Sequence, residues 1–101
     1  MSPAERLKVS EEGLAALCAR YQVRELAVFG SAARGETRPD SDVDILVLFE
    51  ERAQATLFTL IELQAELSLL FGRPVDLVPK NGLKSALRQE VLADAQILYA
   101  A

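Results

Sequence analysis

Histidine is absent from this chain of 101 residues. That excludes imidazole general bases, Ser-His nucleophile pairs and the usual His-containing zinc sites. The single cysteine, Cys18, excludes an internal disulfide and fits a reducing cytoplasm. Cys18 falls on an apolar helical face and reads as core. No apolar run approaches the roughly 20 residues of a membrane span, and the opening MSPAERLKVSEEG is not a signal peptide. Neither G-x-x-x-x-G-K-[ST] nor G-x-G-x-x-G occurs, which excludes a P-loop and speaks against a dinucleotide cradle. Positive charge is scarce as well: 11 Lys and Arg stand against 15 Asp and Glu, for a net charge of −4. With a sequence pI of about 4.8, broad binding to nucleic acid is not expected. Any catalysis must rest on carboxylates, hydroxyls, basic side chains and bound metal.

The length suits one domain, residues 1–101, and no more. Half the residues are hydrophobic, which is high for so small a body. Either the core is well filled, or apolar surface is left over for a partner. Ser10 is an N-cap candidate with Glu11 and Glu12 behind it, and Leu14, Leu17, Cys18 and Tyr21 follow at helical spacing. Ser10 to Tyr21 therefore reads as an amphipathic helix. Arg24 to Phe29 reads as a buried strand, Ser31 to Arg34 as about one helical turn, and Glu36 to Ser41 as a loop. Val43 to Phe49 is a second strand. Arg52 to Phe71 reads as a long helix, with Leu57, Leu60, Ile61, Leu63, Leu67, Leu70 and Phe71 forming its apolar stripe and Gly72 ending it. Val75 to Val78 is a third strand and Leu83 to Leu92 a last helix. Ile97-Leu98-Tyr99 adds a short edge strand. The short link between the first two strands suggests antiparallel pairing. The long helix between the second and third is a right-handed crossover, which implies a parallel pair. The expected class is α/β (α+β), a small mixed sheet with helices packed on it.

The informative stretch is Gly30 to Asp44, GSAARGETRPDSDVD. Asp42 and Asp44 alternate at the start of a strand, so both point to one face, roughly 6–7 Å apart along it. That spacing lets them grip one hard divalent cation or bracket two. Asp76 interrupts the third strand, VDLV, and can join them if strands two and three are neighbours. Three converging carboxylates repel one another and lose solvation, a cost that a cation offsets. The alternative is three strand-end residues turned to water. Oxygen-only ligands and a phosphate-bearing substrate favour magnesium. Gly30 lets backbone approach a phosphate closely, and the Ser31 hydroxyl and N–H offer donors to it, or else Ser31 is a helix N-cap. Arg34, one turn later, reaches the same phosphates or lies solvated. Ser41 caps the loop or touches the triphosphate. Lys80, Lys84 and Arg88 assist the triphosphate or a partner, or form a solvated basic face.

The pattern G-S-x₁₀-D-x-D, here Gly30-Ser31 through Asp42-Val43-Asp44, resembles the signature of the polymerase-beta-type nucleotidyltransferase superfamily. The form FGSAARGE…SDVDILV and the later VDLV strand look most like its minimal nucleotidyltransferase (MNT) branch. The resemblance implies that fold and a magnesium-dependent transfer of NMP from an NTP such as ATP, with release of pyrophosphate. By the same resemblance Gly30 and Ser31 match the triphosphate-binding turn, and Asp42 and Asp44 the metal-binding pair. Asp76 matches the carboxylate that helps activate the acceptor hydroxyl. All five positions match, so an active enzyme is expected. The chain leaves no room for an acceptor-binding domain, so the acceptor is expected from another protein or at a homo-oligomer interface. The resemblance suggests a helical HEPN-type partner in a toxin–antitoxin pair, which the nucleotidyltransferase neutralises by adenylylation. The competing readings are neutralisation by occlusion alone, and transfer to a small molecule such as an aminoglycoside.

Overall fold

The structure, a computed structural model, describes residues 2–35, 42–82 and 85–101, without the side chains of Ser31 and of residues 85–88. The chain runs through helix α1 (Pro3–Arg6), helix α2 (Glu11–Arg20), strand β1 (Val23–Phe29) and a 3₁₀ turn (Gly30–Ala32). Strand β2 (Val43–Phe49), helix α3 (Leu57–Phe71), strand β3 (Val75–Pro79), a 3₁₀ turn (Lys80–Gly82), helix α4 (Ser85–Asp94) and strand β4 (Gln96–Ala100) follow. The sheet order is β3-β2-β1-β4. β1 pairs antiparallel with β2 and β4, and β2 pairs parallel with β3. The mixed sheet, the antiparallel first pair and the parallel crossover are those read from the sequence.

One face of the sheet is the core. Leu26 and Val28 of β1, Val43, Ile45 and Val47 of β2, and Val75 and Leu77 of β3 pack with Leu14, Leu17 and Cys18 of α2 and with Leu63, Leu67 and Phe71 of α3. Strand periodicity then sends Asp42, Asp44 and Asp76 to the opposite face. Cys18 is fully buried. Burial pushes its thiol up to about 12, so it stays protonated and serves as core.

Several boundaries differ from the sequence reading, and at α1 and α3 local capping is the reason. Helix α1 was not expected. Its signal is Ser2-Pro3-x-Glu5: Ser2 Oγ accepts the Glu5 N–H at 3.2 Å, and Pro3 opens the helix. Helix α4 begins at Ser85 and runs to Asp94, two residues beyond Leu92. Helix α3 begins at Leu57 rather than Arg52, because Thr56 and Thr59 close a reciprocal box: Thr59 N–H donates to Thr56 Oγ1 at 3.3 Å and Thr56 N–H to Thr59 Oγ1 at 3.1 Å. Losing that cap in Thr56→Ala is expected to cost about 1 kcal/mol. It will read as a lower urea midpoint at unchanged slope, and an unaltered midpoint would show that the box is open in solution.

Helix α3 also guards the sheet edge. Gln64 Oε1 accepts the Leu77 N–H at 2.9 Å, and Ser68 Oγ accepts the Val75 N–H at 3.1 Å. These are N–H groups of edge strand β3, which would otherwise invite another strand. The apolar stripe read along this helix splits on the structure. Leu63, Leu67 and Phe71 are buried and Leu60 and Leu70 partly so, whereas Leu57 and Ile61 face outward. Among the described residues no helix is long and apolar enough to cross a membrane.

Candidate active site

Sheet register assembles the site. Phe29, the last residue of β1, pairs with Asp44 of β2, and Asp44 pairs with Asp76 of β3. Val43 N–H donates to Pro74 O at 2.9 Å, tying the start of β2 to the start of β3. Neighbouring strands lie about 4.8 Å apart, so Asp44 has Asp76 beside it and Asp42 two residues back on the same face. Asp42 and Asp76 are exposed and Asp44 is half-buried. Burial, then the charge of Asp76, then that of Asp42, raises the Asp44 carboxyl above its ordinary value.

The turn after β1 closes the other side. Gly30 has φ +68°, and its carbonyl accepts the N–H groups of Ala33 and Arg34 at 3.1 and 3.2 Å. The first N–H groups of such a turn have no partner within it. A Cβ on Gly30 would lie 2.9 Å from Asp44 Oδ2, so the turn and the carboxylate are in direct apposition. The lack of a side chain is what lets them meet.

The donor set is all oxygen, anionic and mutually repelling, which suits a hard divalent cation. Asp42 and Asp44 share a face and Asp76 adjoins them, although among the described residues no three acidic or thiol side chains are already drawn into metal-holding geometry. The carboxylates suit a cation through backbone placement and charge.

Other expected residues fare differently. The Arg34 guanidinium is paired with Asp94 of α4 at 3.3 Å, with both side chains about half exposed. Lys80 lies apart from the carboxylates. It follows β3, which runs parallel to β2, so it emerges at the end of the sheet opposite Asp76 and pairs with Glu25 at 3.2 Å. It takes no part in the acidic site. The Ser31 hydroxyl, Ser41, Lys84 and the Arg88 side chain lie outside the described residues.

Arg6 was missed by the sequence reading because α1 was. Its guanidinium donates to Ala32 O at 2.7 Å, strapping the N-terminal helix to the Gly30–Ala32 turn. It also lines a cleft of about 350 Å³ with Lys8, Ala32, Gly35 and Arg73. The cleft opens at the same end of the sheet as the carboxylates but does not contain them. On the reading that the turn receives a triphosphate, Arg6→Ala is expected to loosen the turn and weaken binding of an ATP analogue about tenfold. Titration with a fluorescent ATP analogue measures this. Unchanged affinity would show that the turn holds its shape unaided.

Comparison with known proteins gives the family. Residues 10–98 match the family model described as nucleotidyltransferase domain. The chain is 52% identical over 75 residues to protein adenylyltransferase MntA of Thermococcus cleftensis, a match spanning 74% of each. A solved structure described as a candidate minimal nucleotidyltransferase superposes with a TM-score of 0.74 at 44% identity, over 94% of both chains. A chain from a toxin–antitoxin crystal structure with AMP-PNP superposes with a TM-score of 0.74 at 24% identity, over 92% of this chain and 75% of that one, and shows the shared fold. The chain belongs to the nucleotidyltransferase domain family and is a nucleotidyltransferase of the minimal type.

Proposed function

We propose that this chain transfers AMP from magnesium-bound ATP to a hydroxyl of a partner protein, a helical HEPN-type toxin, and so acts as its antitoxin. The observation that carries the reading is the sheet register that brings Asp44 beside Asp76, with Asp42 on the same face and the Gly30 turn against Asp44. Its support for a protein acceptor is the 52% identity to a protein adenylyltransferase. The toxin–antitoxin neighbour supports the antitoxin role through fold alone.

In this reading Asp42 and Asp44 hold the cation. When bound, magnesium neutralises charge on the phosphate oxygens and on the departing pyrophosphate. Gly30 and the Ser31 N–H receive the triphosphate at the open start of the turn. Arg34 gives up its exposed pairing with Asp94 to reach the same phosphates. Asp76, exposed beside Asp44, accepts the proton of the acceptor hydroxyl. The hydroxyl oxygen bonds to the α-phosphorus as the bond to the β-phosphate bridge breaks, and pyrophosphate leaves. The chain works in the cytoplasm.

The exposed apolar residues of α3 also fit neutralisation by binding alone. One experiment separates the two. The chain is incubated with magnesium, ATP labelled at the α-phosphate and the protein encoded by the neighbouring gene. Label on that protein, absent with Asp42→Ala, supports transfer. A stable complex without label overturns transfer in favour of occlusion.

A further inference from the structure

Helix α3 is apolar on both sides. Leu63, Leu67 and Phe71 are buried, yet Leu57, Phe58, Ile61 and Leu69 remain 70%, 76%, 54% and 79% exposed. At about 100° per residue these four, with exposed Ala65 between them, fall within roughly 120° of arc and run some 18 Å along the helix. Scattered exposed leucines need no explanation, but a continuous ridge of them marks an interaction surface.

We infer that this ridge is the docking surface for the acceptor protein, which meets it with an apolar helix bordered by basic residues; the inference rests on the transfer reading above. Charge selects this occupant. Glu62 and Glu66 lie along one flank of the ridge, and the chain as a whole carries −4. Arg20 lines the same small cleft as Glu62 but is stacked on Tyr21, 5.2 Å from its ring centre. A second copy is a poor fit in either orientation. An antiparallel two-fold pair sets Glu62 and Glu66 against the same residues of the other copy, and a parallel pair sets two positive helix N-termini side by side. A partner with a basic border meets neither penalty.

Placement links the ridge to the chemistry. Helix α3 lies against β3, the edge strand that carries Asp76, and its Leu69 end is at the start of β3. The carboxylates lie on the other face of the sheet, so a protein seated on the ridge must reach round the β3 edge, where Gln64 and Ser68 of α3 hold the strand's N–H groups, to bring a hydroxyl to Asp76. Contact with a polar border on such a ridge can reach the roughly 800 Å² per partner of a stable complex.

The test compares the wild-type chain with Phe58→Asp/Leu69→Asp and with Glu62→Lys/Glu66→Lys, using the HEPN-type protein of the neighbouring gene as partner. All four positions are outside the core, and unchanged melting temperature and ATP-analogue affinity verify the site. The apolar pair is expected to raise the KM for the acceptor, and the Kd of the complex, at least tenfold while kcat holds. The charge pair is expected to weaken binding severalfold and to flatten its dependence on salt. Wild-type transfer that both variants retain at unchanged KM overturns the docking surface and leaves the transfer reading standing. Tight wild-type binding lost in the variants, with no label transferred, upholds the surface and overturns transfer. A wild-type chain that forms no complex with this protein, or that dimerises alone through these same residues in sedimentation, overturns the docking proposal.

Discussion

Asp44→Asn will reduce nucleotidyl transfer about a thousandfold while leaving the fold intact and, in chelator, more stable. The loss follows from position. Asp44 is the carboxylate that the register sets against both Asp76 and the Gly30 turn, so in the proposed mechanism it would belong both to the cation's ligands and to the phosphate-facing wall. Removing one donor of preorganised charge stabilisation typically costs 10²–10³ in rate, and a cation ligand stands at the upper end. Asn keeps the shape and one oxygen but not the charge. Transfer of α-labelled phosphate measures the outcome, and a variant within tenfold of wild type would remove Asp44 from the chemistry.

Burial and two neighbouring carboxylates raise the folded Asp44 carboxyl above its unfolded value. Its charged form therefore costs stability above the folded value, and the cost vanishes below the unfolded one. Without divalent cation the wild type should lose stability as pH rises through that window from the ordinary carboxylate range upward. Asp44→Asn should lose less and melt higher at neutral pH. Magnesium should raise the wild-type melting temperature and barely move the variant, since a bound cation stabilises only the state that holds it. A variant that melts lower than wild type in chelator would show that the carboxylate is a net structural support.

The placement of the candidate carboxylates was legible because strand periodicity and spacing carry it. Asp42 and Asp44 share a face by alternation alone, and the crossover through α3 makes β2 and β3 parallel neighbours, which delivers Asp76. The family motif adds Gly30 and Ser31. What periodicity could not show was which apolar residues of α3 face the sheet. Leu57, Ile61, Leu63 and Leu67 all satisfy a helical pattern, and only the packing of α2 and the sheet selects Leu63 and Leu67 for burial. The alternatives open for Lys80, a triphosphate or partner contact or a solvated basic face, also needed the structure: the extended strand carries the chain about 13 Å beyond Asp76 in four residues, to a pairing with Glu25. Arg6 was hidden because α1 is four residues long and too short for periodicity to declare it. Its capping residues were the only signal.

Gly30→Ala will cut transfer about a hundredfold, far more than its effect on stability explains. Two penalties act at this position. At φ +68° any Cβ strains the backbone by about 1–2 kcal/mol. Here that Cβ also lies 2.9 Å from Asp44 Oδ2, closer than real Cβ atoms approach, so the carboxylate or the turn must shift. A misplacement near 1 Å in a preorganised site is enough for a hundredfold loss. Gly72→Ala separates the two effects. Gly72 has nearly the same φ, +69°, and nothing within 4 Å of the added carbon. It ends α3 in the left-handed conformation with its N–H on Ser68 O at 2.9 Å, so its alanine variant bears the strain without touching a carboxylate. The expected result is similar destabilisation of both variants, read by urea denaturation, with transfer lost only in Gly30→Ala when both are assayed well below their melting temperatures. Equal losses of transfer would mean that strain alone disables the enzyme. Full activity in Gly30→Ala would mean that Asp44 has room to turn away from the added methyl and still hold its cation, and the apposition of turn and carboxylate would then have no part in catalysis.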